Sequence, residues 1–376
     1  MKTFDDLIQE VLKPGLCHHC GACVAFCTSI NYGALELDSD GIPRYADKDK
    51  CIGGGLCYAI CPEIDELEEE TKQRVGWTAP IGRVADVSIA RATDATIRDT
   101  ATDGGVVTAL LVNLLRKGRI DLAVVTKQIG PFQRESFLAA TEEDIRSAAG
   151  FFFDTSYGMQ RFGDYYSSFS QIGEFNTLSD KGFHRVAFVG TPCQIQAVRK
   201  MQTLNIYPAD TVKFCLGLFC SGNFVFGEKQ RNEIAQIGEF QWENVDKINI
   251  KENLMVHLRS GKVVTVMLSD LEFMKRSACN FCADFSAEYA DISFGGIGAE
   301  EGWTTVIVRS PVGLEIFSDA KFKAIEENKQ TCHPLLPAQA LNKVRLWSGR
   351  KKDAAFKSRK TLNLNSSDLK LTDCPQ

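Results

Sequence analysis

Seven cysteines fall within the first 61 residues, and their spacing constrains the fold more than any other feature of the chain. They are Cys17, Cys20, Cys23 and Cys27, then Cys51, Cys57 and Cys61, the last followed by Pro62. The whole chain of 376 residues carries 14 cysteines. A disulfide framework of that density belongs to short secreted chains. This chain is long, and it opens on MKTFDDLIQE, which places acids where a signal peptide needs an apolar core. Spacing points to metal instead. Structural zinc takes four ligands per ion, and seven cysteines in this order exceed what one zinc uses. Iron–sulfur chemistry fits better, because the irons of one cubane must be reached from a tight loop. Gly21 and the run Gly53-Gly54-Gly55 let such a loop wrap closely.

The order matches the bacterial ferredoxin run C-x2-C-x2-C-x3-C-P, used twice, in which the fourth cysteine of each run serves the other cluster. Cys17, Cys20 and Cys23 with Cys61 complete one [4Fe–4S] set. The second run departs from the pattern, since Gly54 stands where a cysteine is needed. Cys27, Cys51 and Cys57 are then left with a site that is [3Fe–4S], unusually ligated or empty. Thr28 also replaces the usual proline. His18 and His19 read as solvated loop residues rather than ligands, and the acidic run 65–70 as a solvated domain edge.

A second organising stretch runs over residues 185–220. Residues 186–189 are apolar and β-rich, Gly190 breaks the run, Thr191 can cap a helix and Pro192 suits its first turn. Residues 194–201 have helical composition. Cys193 is therefore predicted at a helix N-terminus, where backbone N–H groups and the helix dipole favour a thiolate. A second apolar strand, 212–219, ends at Cys220. Cys215 has the opposite parity and points into the core. Cys193 and Cys220 thus sit at the ends of neighbouring strands, the edge where α/β sheets place ligands. With the Cys279-x2-Cys282 pair they make four thiolates, a set that fits a further [4Fe–4S] cluster.

Upstream, Asp103 is predicted to cap a helix reaching residue 117, with Gly104 and Gly105 offering N–H groups to a phosphate or a flavin edge. Strands are expected at 84–91, 121–127, 290–294 and 304–308, and a hairpin at 253–268 that turns at Ser260-Gly261. Neither GxGxxG nor a P-loop appears. The aromatics of 150–153 with Tyr157, Tyr165 and Tyr166 read as core. Cys332 and Cys374 have no partners by spacing. Residues 345–360 are strongly basic and read as a helical segment that is a solvated arm or docks a partner. A net charge of −5 argues against non-specific nucleic-acid binding, and no run approaches the length of a membrane span. A cytoplasmic protein is the expectation. The fold class is mixed α/β (α+β), in four parts: an iron–sulfur domain at 1–70, two α/β segments at 80–165 and 166–330, and a basic tail at 331–376.

Several blocks then carry a family resemblance. They are Asp103-Gly104-Gly105-Val106-Val107-Thr108-Ala109-Leu110-Leu111, Gly190-Thr191-Pro192-Cys193-Gln194 and Gly217-Leu218-Phe219-Cys220, followed by Cys279-x2-Cys282-x-Asp284-Phe285-Ser286-Ala287-Glu288, Ala290-Asp291-Ile292-Ser293 and Gly302-Trp303-Thr304-Thr305-Val306-Ile307-Val308-Arg309. In this order, over residues 85–310, they resemble the beta subunit family of coenzyme F420-reducing hydrogenase and F420H2 dehydrogenases. With the cysteine module in front, the layout is similar to the input subunit of the membrane F420H2 dehydrogenase and to the N-terminal half of F420-dependent sulfite reductase. The siroheme-binding half of the latter is not expected within these 376 residues.

The resemblance implies a ferredoxin-like 2[4Fe–4S] domain followed by a flavin- and [4Fe–4S]-binding α/β domain. Cys193, Cys220, Cys279 and Cys282 would hold the central cluster. Gly104, Gly105 and Thr108 would lie against FAD, and Gly190, Thr191, Gly295, Gly296 and Gly298 would join the flavin pocket. Lys127, Arg199 and Lys200 are candidates for the anionic tail of F420. Hydride would pass between F420 and FAD, and electrons onward through the clusters to a redox partner, within a larger complex that is cytoplasmic or peripheral to a membrane. No side-chain acid or base is demanded, because hydride passes directly between rings, and the partner's potential sets the direction. A pure electron-transfer subunit stays open as an alternative. So does a ferredoxin-dependent flavin reductase with another substrate, as in the chlorophyll-reducing relatives.

Overall fold

Each cysteine loop of the N-terminal module ends at a left-handed glycine that starts a short helix. In the computed structural model, which describes residues 1–30, 32–130, 133–150, 159, 185–328 and 335–362, Gly21 (φ 79°) caps the helix Ala22–Ser29 and Gly55 (φ 72°) caps the helix Leu56–Ala59. A Cβ at position 55 would stand 2.4 Å from the Lys2 carbonyl oxygen, so only glycine fits that turn. The small hairpin of β1 (Leu35–Leu37) and β2 (Pro43–Tyr45) closes the module. Phe4, Leu7, Val11, Leu16, Val24, Tyr58 and Ile64 form its core, and Phe281 from the body of the chain inserts among them. The readings at 151–153, Tyr157, Tyr165, Tyr166, Cys332 and Cys374 lie outside the described residues.

The body is built from β3 (Asp86–Ala92), β4 (Leu122–Gly130), β5 (Gln133–Ala139), β6 (Val186–Gly190), β7 (Val212–Leu218), β8 (Val245–Ile250), β9 (Leu254–Leu258), β10 (Val263–Val266), β11 (Ile292–Gly295), β12 (Thr304–Val308) and β13 (Ile325–Glu327). Eight of these form one sheet in the order β13-β3-β12-β11-β7-β6-β4-β5. Its centre, β11-β7-β6-β4, is parallel, and both flanks are antiparallel. Parallel strands need both faces covered. The helices Val106–Arg116 and Pro311–Ala320 pack on one face and the helix Pro192–Thr203 on the other. The predicted strand–helix–strand unit at 185–220 forms as expected. It sets Gly190 beside Gly217, so the chain leaves β6 and β7 on the same edge. The predicted hairpin at 253–268 is β9–β10, extended by β8 into a separate three-stranded sheet.

Two expectations are corrected. The helix Val106–Arg116 is capped by Gly105 (φ 72°), not by Asp103, because the Asp103 carboxylate accepts a hydrogen bond from Asn249 Nδ2 at 2.9 Å instead. The basic segment is helical, as expected, but it is no solvated arm: the 27-residue helix Leu335–Thr361 is laid along the body. Lys351 Nζ donates to the carbonyls of Cys220 (2.7 Å) and Asp284 (2.9 Å), and Lys352 pairs with Glu288 at 2.8 Å. Ala340, Val344, Ser348 and Ala355 are buried at helical spacing along its inner side, a stripe of small residues among the charges. Among the described residues, no helix is long and apolar enough to cross a membrane.

Candidate functional site

The cysteines gather into three groups. In the first, Cys17, Cys20, Cys23 and Cys61 come together. Burial, and then the neighbouring thiols, push Cys17 up to about 11 and raise Cys23 and Cys61 well above the ordinary thiol range. In the second, burial and then Cys51 and Cys27 push Cys57 up to about 11, while Cys27 rises through burial with Cys51 adding. In the third, Cys193 rises through burial and then through Cys20, Cys282 and Cys220. Burial likewise pushes Cys220 up to about 12, with Lys351 opposing and Cys279 and Cys282 adding. All eleven are free thiols. Crowded, buried sulfurs of this kind fit a metal core that would neutralise them as thiolates. Among the described residues, no three His, Cys, Asp or Glu side chains stand close enough to hold a single ion. A cubane asks for a wider set, one thiolate at each of its irons.

The groups are linked. Cys193 of the third group lies near Cys20 of the first, and Cys23 of the first near Cys57 of the second. His18, read from sequence as a solvated loop residue, is buried between them. Its Nε2 meets Glu63 Oε1 at 2.6 Å, and its side chain is hydrogen-bonded to Cys279. Burial pulls the imidazole down, but Glu63 and Cys279 outweigh it and raise its pKa well above the usual value. Cys279 moves the other way from the rest. Burial raises it, yet the bond and charge of His18 and the Asn223 N–H at 3.2 Å bring it below the ordinary thiol value. Lys351 adds a second cation beside Cys282, Cys220 and Cys279. Its position in a run of surface-looking lysines hid it from sequence reasoning.

A half-open cleft with a cavity volume of about 200 Å³ lies at the C-terminal ends of the parallel strands. Thr126 of β4, Gly190 of β6, Leu218 of β7 and Gly295 of β11 line it, and Gly105, Val106 and Thr108 form the facing helix start. Of the predicted flavin residues, Gly105, Thr108, Gly190, Thr191 and Gly295 meet here. Gly104 does not: its N–H donates to Thr304 Oγ1 at 3.0 Å. Gly296 and Gly298 line a second, open cleft of about 300 Å³ with Lys251, Met255 and Lys343. Thr191 joins the main cleft to the cysteines. It lines the cleft while its hydroxyl lies 3.3 Å from Cys193 Sγ, and its N–H donates to Gln194 Oε1 at 2.9 Å.

Two of the three candidate tail-binding cations are spent inside the protein. Lys200 is fully buried and donates to the carbonyls of Cys61 (2.8 Å) and Ile64. Arg199 pairs with Asp291 at 2.9 Å and donates to the Tyr289 carbonyl. Lys127 stays half-buried, its ammonium 4.3 Å from the Phe137 ring centre. The acidic run is partly structural too, since Glu68 accepts from Gln196 Nε2 at 3.0 Å and from the Tyr289 hydroxyl. Cys215 is core, as expected: it is fully buried, and burial pushes it up to about 12.

Comparison with known proteins gives the family of the chain. Within the family described as coenzyme F420 hydrogenase/dehydrogenase, beta subunit, the C-terminal family model matches residues 183–331 and the N-terminal one residues 87–160, and a "4Fe-4S dicluster domain" matches residues 9–62. The chain is 31% identical over 290 residues to the coenzyme F420 hydrogenase subunit beta of Methanosarcina barkeri, covering 76% of this chain and 95% of that protein. It is 26% identical over 333 residues to the coenzyme F420-dependent sulfite reductase of Methanocaldococcus jannaschii. That match covers 84% of this chain but only 48% of the reductase, so the chain spans about half that protein's length. A chain from the F420-reducing [NiFe] hydrogenase complex of Methanosarcina barkeri superposes with a TM-score of 0.64 at 29% identity, covering 80% of this chain and 98% of that one. The chain belongs to the coenzyme F420 hydrogenase/dehydrogenase beta subunit family, with a 4Fe-4S dicluster domain at its N-terminus.

Proposed function

We propose that the chain is an iron–sulfur flavoprotein that moves electrons between coenzyme F420 and a redox partner protein. Cys193, Cys220, Cys279 and Cys282 would hold a central [4Fe–4S] cluster, and Cys17, Cys20, Cys23 and Cys61 a second. The cleft would take the flavin of FAD, with Gly105, Thr108, Gly190, Thr191 and Gly295 along its walls. When bound, a flavin exchanges hydride with a deazaflavin and single electrons with iron–sulfur clusters, so it belongs between them. The chain's own part is to hold the groups in order, bury the sulfurs and donate hydrogen bonds to them. Thr191 is the observation that carries this reading. One residue walls the cleft and touches Cys193, and Cys193 lies near Cys20 of the N-terminal module. Cleft, third group and first group therefore follow one another in space.

The test is anaerobic. The purified protein is mixed with reduced F420, with and without a ferredoxin-type acceptor, and followed by absorbance and paramagnetic resonance. Bleaching of flavin and clusters as F420 forms is the expected result. Bound flavin that ignores reduced F420 but is reduced by NADH or NADPH would move the activity to another donor.

Lys351 makes a further prediction for the central cluster. Its ammonium is a fixed cation beside three of the four thiols, and positive charge favours the reduced, more negative cluster. Lys351→Met keeps the aliphatic stem and removes the charge. The midpoint potential of that cluster should fall by on the order of 100 mV, taking one charge interaction of a few kcal/mol and a one-electron couple. A redox titration followed by paramagnetic resonance measures it, and an unmoved potential would show that the charge is screened.

A further inference from the structure

We infer that the second cysteine group, Cys27, Cys51 and Cys57, is a three-thiolate, three-iron site rather than the four-thiolate site of a dicluster module; the inference rests on the iron–sulfur reading above. The two cysteine loops are structural equivalents. Cys20 precedes Gly21, which caps a helix carrying Cys23 as its second residue; Gly54 precedes Gly55, which caps a helix carrying Cys57 as its second residue. Gly54 therefore occupies the place of Cys20, and the missing thiol belongs to this corner.

Gly54 is not required by the backbone. Its neighbours Gly53 and Gly55 are left-handed, at φ 67° and 72°, but Gly54 is not among the positive-φ glycines. A Cβ there would meet only the Ile52 side chain, at 3.8 Å. The position is exposed beside Ile52, which is itself 68% exposed. A cysteine would fit, and none is present. The nearby polar groups already have partners: the Tyr45 hydroxyl is hydrogen-bonded to Cys51 and Asp5, and Asp5 pairs with Lys48 at 2.9 Å. The three remaining sulfurs still crowd one another, Cys57 against Cys51 and Cys27. The donor set is thus right for three irons, with its fourth corner turned to solvent.

The full chain, purified and kept anaerobic so that no four-iron cluster loses metal to air, tests this together with Gly54→Cys, Gly54→Ala and Cys51→Ala. Iron and acid-labile sulfide are counted per chain, and mildly oxidised samples are examined by paramagnetic resonance. The wild type should show a three-iron signal of about one spin per chain. Gly54→Cys should abolish that signal and add about one iron per chain. Gly54→Ala should keep the signal, which separates the thiol from the mere presence of a side chain, and Cys51→Ala should lose it. A wild type with a full iron complement and no three-iron signal would overturn the inference. So would a Gly54→Cys protein indistinguishable from wild type, or a Cys51→Ala protein with unchanged iron. Absence of iron from every preparation would instead sink the wider iron–sulfur reading, and the inference with it.

Discussion

Alanine at either Cys193 or Cys279 should remove the same irons, about four per chain. These residues are 86 positions apart, one just inside the helix Pro192–Thr203 and the other in the turn Ser277–Asn280. Nothing but a shared cluster would make their losses overlap. The double variant should lose no more iron than either single one, a non-additivity that marks one unit. Cys215→Ala is the control. Cys215 is a fully buried thiol close to the same sheet edge, but it packs among Ile195, Val198 and Tyr289 and its N–H donates to Asp291 Oδ2 at 2.8 Å. It should keep full iron while costing some stability. Iron analysis with paramagnetic resonance of the reduced protein decides the matter. Unchanged iron in both single variants would remove the central cluster and leave the first and second groups standing. Losses that add in the double variant would mean that the two cysteines serve different sites.

The grouping of the N-terminal cysteines was legible because their spacing is a local pattern. Cys17, Cys20 and Cys23 sit in one loop, and the helix N-terminus at Cys193 was announced by Gly190, Thr191 and Pro192. Strand positions in the parallel centre were legible for the same reason, since each is a short apolar run between breakers. What escaped was set by tertiary contacts that leave no local trace. Lys200, Arg199 and Lys351 look alike in sequence, yet all three donate to backbone carbonyls inside the protein, and Arg199 also pairs with Asp291. Asp103 looks like a helix cap until Asn249, some 146 residues away, takes its carboxylate. Gly104 and Gly105 look interchangeable, but the Thr304 hydroxyl occupies the N–H of the first and leaves the second to the cleft. The inner stripe Ala340, Val344 and Ser348 was a signal available in the sequence, masked by the charges around it.

Arg309→Met should be the most destabilising single change outside the cysteines, costing about 3–5 kcal/mol. Arg309 is 2% exposed and spends its guanidinium on five hydrogen bonds. Nε donates to Ser293 Oγ at 2.6 Å, Nη1 to the carbonyls of Ile81 (2.7 Å) and Arg83 (3.0 Å), and Nη2 to the Ser286 carbonyl and hydroxyl, both at 3.0 Å. It thereby ties the segment leading into β3 to the loop that follows Cys282. Methionine fills much of the volume but leaves three carbonyls without donors, and it removes the cation facing Asp284 and Glu288. Those two carboxyls are buried together. Burial and then Asp284 push Glu288 up to about 7, while Lys352 and Arg309 hold it down. A carboxyl whose folded pKa stands above its unfolded value contributes stability that is fully present below the unfolded value, near 4.5, and is lost as pH rises through about 7. Without Arg309 the folded pKa should climb further, so the variant's deficit should be larger at pH 8 than at pH 6. Anaerobic unfolding at both pH values measures it. A deficit independent of pH would mean that the lost hydrogen bonds, and not the uncompensated carboxyl pair, account for the damage. Arg309→Lys separates the two in the opposite direction, since it restores the charge but cannot make the forked set of bonds.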